Sequence, residues 1–146
     1  MPSQSPTLWA SVITILVMLL YMYAASRAGG MRSKHKIEAP AVTGHPEFER
    51  AYRVQMNTLE AMPVFLPSLW LSTALFSSRV ASVWWLPAVL GAIWIVGRVI
   101  YMQSYMADPK SRSAGFGIAA LALIGLFLLT IVGTVMTWLA TNGGTA

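Results

Sequence analysis

Hydrophobic residues in this chain fall into long blocks, and the polar ones gather at the seams between them. No charged side chain occurs from Met1 to Ser26, and the apolar part of that stretch runs from about Leu8 to Ala25. Residues 61–78 and 80–97 form two further uncharged runs with Arg79 between them, and the second continues past Arg98 to Met106. From Ser113 to Ala146 charge is again absent. A helix rising about 1.5 Å per residue needs roughly 20 residues to cross a hydrocarbon core about 30 Å thick. Each block meets that length with modest extension or tilt. Membrane-spanning strands would need short alternating segments, which are missing. The pattern predicts an all-α integral membrane fold, a single four-helix transmembrane domain over 1–146, with helices at about 7–27, 54–78, 82–107 and 110–140. A signal peptide is the rival reading of the first block. It calls for a basic leader and a shorter apolar stretch, whereas Met1 to Thr7 holds neither Lys nor Arg. Only the Gly143-Gly-Thr-Ala146 tail is expected to be loose.

Composition removes the soluble alternatives. Of 146 residues, 56% are hydrophobic and 10% charged, against roughly 25% charged in a globular domain. Mean hydropathy is +0.61. Cysteine is absent, which excludes a disulfide scaffold and any protein thiol acting as nucleophile, redox partner or soft metal ligand. The net charge of +5 suggests nucleic-acid binding only until its placement is considered. Arg27, Arg32, Lys34, Lys36, Arg50 and Arg53 lie in the first connection, and Lys110 and Arg112 lie in the third. The opposite side carries Arg79 alone. The positive-inside bias therefore predicts a multi-pass protein of a bacterial inner membrane or an endoplasmic reticulum, with the first and third connections cytoplasmic and both termini outside. Aromatic residues agree independently: Trp9, Trp84, Trp85 and Trp138 fall at the expected outer ends. All five tyrosines (Tyr21, Tyr23, Tyr52, Tyr101 and Tyr105) fall toward the inner ends.

Candidate chemistry lies near the inner boundary. Arg53, Asn57 and Glu60 are spaced i, i+4, i+7 and share a face of helix two. On helix three, Arg98, Tyr101 and Tyr105 repeat that spacing. Arg98 is about 12 Å along the helix from Met106, too deep for a loop charge. Ionisable groups inside a span are expensive and mark function by default. The bland alternative is an ion pair of Glu60 with Arg98 or Arg53 that merely fixes packing. Two cations, one anion, an amide and two phenols exceed what one such pair needs. Surplus arginines match carboxylates through their planar donor fork, and one carboxylate can receive an ammonium. The set fits a small zwitterionic ligand with more carboxylates than amines.

Gly44-His-Pro-Glu-Phe-Glu-Arg-Ala-Tyr-Arg-Val-Gln-Met-Asn57, continuing through Thr58-Leu-Glu-Ala-Met-Pro63, resembles the signature of the MAPEG superfamily, the membrane-associated proteins of eicosanoid and glutathione metabolism. The resemblance resumes at Gly97-Arg-Val-Ile-Tyr101 and Tyr105-Met-Ala-Asp-Pro-Lys-Ser-Arg112. It looks most like the microsomal glutathione transferase 3 type and its bacterial relatives. What it implies is a homotrimer of four-helix subunits with glutathione, a co-substrate, bound between neighbours near the cytosolic side. The family's glutathione-binding residues match Arg53, Gln55, Asn57 and Glu60 on helix two and Arg98, Tyr101 and Tyr105 on helix three. Its thiol-activating arginine matches Arg112, and the first of its paired arginines after helix one matches Arg32. Two departures stand out. The second of that pair, the proposed proton donor of leukotriene C synthase, falls on Ser33, and the tyrosine that follows the helix-two glutamate there is Ala61. The non-enzymatic lipoxygenase-activating relative lacks counterparts of Arg53 and Arg112, both present here.

The expected function is a membrane-bound glutathione transferase directed at lipophilic electrophiles entering from membrane lipid, with glutathione peroxidase activity toward lipid hydroperoxides as an extension. A lipid-binding scaffold and a small multidrug-type transporter using Glu60 are the alternatives; the surplus arginines disfavour the second. No nucleic-acid partner is expected. Nor is a metal, since His35 and His45 lack partners at ligand spacing. Asp108 and Pro109 suit the start of helix four. Gly115, Ala119 and Ala122 form a small-residue stripe for helix contact.

Overall fold

In a computed structural model, which describes residues 5–143, four long apolar helices form an antiparallel bundle, and the described residues include no strand. Helix α1 spans Pro6–Lys34, α2 Pro46–Leu71, α3 Leu86–Ala107 and α4 Ser113–Asn142. A π-helical turn, Ser72–Phe76, ends α2, and 3₁₀ turns at Ala81–Val83 and Pro109–Arg112 precede α3 and α4. The far end of the expected loose tail lies outside the described residues.

Two helices run beyond their expected limits. α1 continues to Lys34 instead of stopping near residue 27, and α2 begins at Pro46 rather than near 54. Hydropathy registers the part of a helix that meets lipid; a helix entering water keeps its backbone bonds while its side chains turn polar. The start of α2 has its own signals: Pro46 in the first turn, Glu47 and Glu49 at the positive end of the helix dipole, and the His45 side chain accepting from Glu47 N. The first connection thereby shrinks to residues 35–45. At α4 the boundary shifts the other way. Asp108 caps the short Pro109–Arg112 turn, its carboxylate accepting from Lys110 N at 3.0 Å, and α4 itself starts only at Ser113.

The bundle is built inside out relative to a soluble protein. Large apolar side chains point away from it, Leu121 being 72% exposed, as lipid-facing residues should. Small residues line the seams between helices, although Trp94, Phe48 and Phe65 are also fully buried. On α1 the buried positions Ala10, Ile13, Val17, Ala24 and Ala28 form one stripe. The most extensive interface, α3 against α4, depends on a pair of glycines. A Cβ on Gly97 would come within 2.6 Å of Ala119 N, and one on Gly115 would collide with the Tyr101 backbone. The stripe Gly115, Ala119, Ala122 is buried as expected. Deeper in the core, Phe65 and Trp94 stack with centroids 4.0 Å apart.

Within α2, Pro63 and Pro67 remove two backbone donors. Hydroxyls further along add second bonds to other carbonyls: Ser68 and Thr73 donate to Val64 O and Leu69 O at 2.8 and 2.7 Å, and Thr130 of α4 donates across to Ser68 O at 3.2 Å. These bonds satisfy the hydroxyls, which lipid cannot.

Candidate active site

Arg98 organises the polar end of the bundle. Its side chain is carried inward by α3 and is only 2% exposed. Nη2 donates to Thr58 Oγ1 at 2.8 Å and Nη1 to Asn57 Oδ1 at 3.4 Å. The guanidinium lies 4.5 Å from the Tyr101 ring centroid and 5.8 Å from that of Trp94, within reach of cation–π attraction. Nε is buried with no hydrogen-bond partner. Among the described residues the ion pairs are those of Glu47 with Lys34 and with His35, so neither Glu60–Arg98 nor Glu60–Arg53 forms. The packing pair offered as the bland alternative is not what holds α2 to α3. A buried cation with an unmet donor and no carboxylate is an arrangement that an anion can complete.

Arg98 itself lines neither of two cavities at this end of the bundle, but its contacts Asn57 and Tyr101 line the inner one. The inner one, about 330 Å³, is lined by Asn57, Tyr101, Arg112, Ser113 and Phe116. A wider one of about 640 Å³ has Glu49, Arg50, Arg53 and Tyr105 among its walls. Tyr101 and Tyr105 are ring neighbours at 5.6 Å, and the Arg112 guanidinium lies 5.6 Å from the Tyr105 ring. The structure thus gathers Asn57, Arg98, Tyr101, Tyr105 and Arg112, with Arg53 at the mouth.

Two expected residues, Arg32 and Gln55, stand apart within the chain, and Glu60 is exposed on α2. Arg32 donates to Ile37 O and Glu38 O at 3.5 and 3.3 Å and stacks 4.7 Å over Phe48. Gln55 lines neither cavity. Conversely, Thr58, Ser113 and Phe116 were not singled out by the sequence. Only Thr58 left a trace, lying between Asn57 and Glu60 in the longest motif block, where a deep arginine on the facing helix needs an acceptor.

The two loop histidines also need correction. Once α1 and α2 extend, the ends of the first connection meet: the His35 and His45 rings stack at 3.5 Å, and His35 Nε2 lies 3.0 Å from Glu47 Oε2. These three could offer ligand atoms to a metal, although the same carboxylate oxygen is already 2.7 Å from Lys34 Nζ.

Taken together, the fold and this pocket define a four-span membrane protein with a cationic, phenol-lined cavity between its helices near one end. The chain belongs to the MAPEG family, whose profile matches residues 10–132. It is 37% identical to human microsomal glutathione S-transferase 2 over 123 residues, covering 84% of this chain and 78% of that protein. Leukotriene C4 synthase of Cavia porcellus is 32% identical, with 84% of this chain and 78% of that one covered. An uncharacterized protein of Synechocystis is 34% identical over 135 residues, 92% of this chain and 91% of its own.

Proposed function

We propose that the chain is a membrane-embedded glutathione transferase that holds the thiol of glutathione as thiolate for attack on lipophilic electrophiles. Membership of a family with glutathione transferase and leukotriene C4 synthase relatives supports glutathione conjugation in general. The observation that carries it to these residues is Arg98, buried, without an acidic partner and with an orphaned Nε, bonded to Asn57, which with Tyr101 and Arg112 lines the adjoining cavity. Glutathione has two carboxylates and one ammonium, the excess of anion that such a cavity requires.

In this reading Arg53, Gln55, Asn57, Glu60, Arg98, Tyr101, Tyr105 and Arg32 bind the tripeptide, and Arg112 acts on its sulfur. An ordinary thiol has a pKa of about 8.5, lowered by a nearby cation. Guanidinium keeps its charge at neutral pH, so Arg112 acts by electrostatic stabilisation and takes no proton; the thiol proton passes to water. Sulfur then bonds to the electrophilic carbon, and the leaving group departs with the electron pair of the bond that breaks. With a lipid hydroperoxide the thiolate takes the terminal oxygen, an alcohol leaves, and a second glutathione reduces the sulfenic product to disulfide and water. Because Ser33 and Ala61 replace an arginine and a tyrosine of the leukotriene type, that specialised synthesis is not part of the proposal.

The reading includes a homotrimer with glutathione between neighbours and the polar end facing the cytosol. The separation of Arg32 and Gln55 from the inner cavity, and the exposure of Glu60, support ligation from two copies.

The experiment is conjugation of glutathione to a reactive aryl halide by the purified protein, with thiolate absorbance of the complex titrated against pH. Arg112→Ala should raise the pKa of bound glutathione, each unit corresponding to about 1.4 kcal/mol, and slow turnover with little change in affinity. Arg112→Lys should recover part of the effect. Conjugation no faster than the uncatalysed reaction would refute the proposal; superimposable titrations would remove Arg112 from it.

A further inference from the structure

Arg50 lies one turn before Arg53 on α2 and shares the wall of the wider cavity with it, but is not among the residues proposed to bind the ligand. By sequence it is one more basic residue at the membrane surface. Its side chain, however, crosses to α3. Nη1 donates to Met106 O and Ala107 O, each at 3.3 Å, while Nε donates to Pro46 O on its own helix at 3.3 Å. The last carbonyls of a helix lack partners inside it and carry the negative end of its dipole, so a guanidinium there answers both needs.

At those carbonyls the chain leaves α3 for the turn that bears Arg112. The turn is stitched back by Asp108 N, 2.8 Å from Ser104 O, and by the Ser111 hydroxyl, which donates to Ser104 O and Asp108 O at 3.0 and 2.8 Å. The Arg112 guanidinium makes no hydrogen bond among the described residues and lies 5.6 Å from the Tyr105 ring centroid. Its place therefore depends on where the backbone turn sits. Among the described residues, side-chain hydrogen bonds join α2 to α3 at two levels: Arg98 to Asn57 and Thr58 inside the bundle, and Arg50 to the final carbonyls at its edge. The second level is the one next to Arg112.

We infer that Arg50 is a positioning residue: by clamping the end of α3 to α2 it fixes the Arg112 turn relative to the helix-two ligand row, and so sets how far bound thiol ionises. This rests on the glutathione transferase reading above.

The test compares the full-length wild type with Arg50→Gln, Arg50→Lys and Ser111→Ala, each purified in detergent, using glutathione and an aryl halide. In Arg50→Gln the titration of bound thiolate should move up by about one unit, tenfold less thiolate at pH values below both midpoints. Turnover should fall by on the order of 10- to 100-fold, as for small misplacements of a reacting group. At pH values below both midpoints glutathione Kd should change less than about threefold, since binding of the neutral thiol is untouched. Arg50→Lys keeps a cationic donor at the carbonyls and should restore most of the titration. Ser111→Ala, which loosens the same turn, should shift it in the same direction, and these two carry the test if Arg50→Gln does not fold. Titrations that superimpose on wild type overturn the inference. So does a weakened Kd with an unmoved titration, which makes Arg50 a direct ligand contact, or lower stability with normal titration of the folded fraction, which makes it structural only. If wild type itself forms no bound thiolate and no conjugate, the functional reading fails first.

Discussion

Exchanging Thr58 for valine keeps the shape of the side chain and removes one oxygen, at the point where α2 holds the buried cation of α3. Thr58 is fully buried; its Oγ1 accepts from Arg98 Nη2 at 2.8 Å and donates to Val54 O at 2.8 Å. Val54 O also accepts the backbone bond of the helix, so little is orphaned on that side. Arg98 fares worse, because its Nε already lacks a partner and Nη2 joins it. A hydrogen bond to a charged group contributes about 1.5–3 kcal/mol, and an unmet buried donor costs a similar amount, so Thr58→Val should destabilise by about 2 kcal/mol. Removing both partners is different. Arg98→Leu takes out an ionisable group that costs a few kcal/mol inside a span; that variant should be inactive yet no less stable than wild type. In the Arg98→Leu background, Thr58→Val should change stability by less than about 0.5 kcal/mol. Unfolding the four proteins with sodium dodecyl sulfate in mixed micelles, followed by tryptophan fluorescence, gives the coupling directly. An additive cycle, within about 0.5 kcal/mol, would refute the reasoning, because Arg98 would then not depend on Thr58 for its place.

With no native cysteine, sidedness can be read from single introduced thiols. Those at Ser33 and Ser111 should be labelled only from the cytosolic face and one at Asn142 only from the other; labelling of all three from one face would sink the proposed orientation. Glu60→Gln and Arg53→Ala should each weaken glutathione binding, with a loss on the order of 2–5 kcal/mol for a fully desolvated charged contact, while the assembly survives; unchanged affinity by calorimetry removes both from the site. Gly115→Ala should destabilise by about 1–3 kcal/mol through overpacking, since its Cβ meets the Tyr101 backbone. Gly117→Ala, with nothing within 4 Å of its Cβ, should instead stabilise by about 0.5–1 kcal/mol; equal thermal shifts in the two would contradict the packing described.

Much of this architecture was legible because lipid imposes so strict a demand on side chains. Four uncharged blocks could only be spans, and Arg98 inside one of them could only be costly, whatever its role. What hydropathy could not show was the helix outside lipid. Gly29, Arg32 and Lys34 read as loop, yet backbone bonding carries α1 to Lys34. That miss also hid the meeting of His35, His45 and Glu47, three residues whose separation in sequence says nothing once two helix ends face each other. Thr58 was passed over for another reason: a threonine in a span is usually content with the carbonyl one turn back, and only the facing helix reveals the second bond. The contacts of Arg32 and the exposure of Glu60 lay further from reach, for both depend on how the connection folds and which faces stay uncovered.

Bulky side chains facing lipid and glycines at the α3–α4 seam change the usual map of mutational tolerance. In a soluble domain, large buried side chains resist change and the surface is permissive. Here moving a leucine from lipid to the interior gains little, because both surroundings are apolar, and association rests on close packing and interhelical bonds. A saturation scan should therefore find Leu121, at 72% exposure, indifferent among Leu, Ile, Phe and Val and intolerant only of charge. Gly97, with Ala119 N only 2.6 Å from where its Cβ would stand, should reject even a methyl group. Sorted by tolerated volume, the scan would trace the helix contacts; sorted by tolerated polarity, it would trace the limits of the membrane.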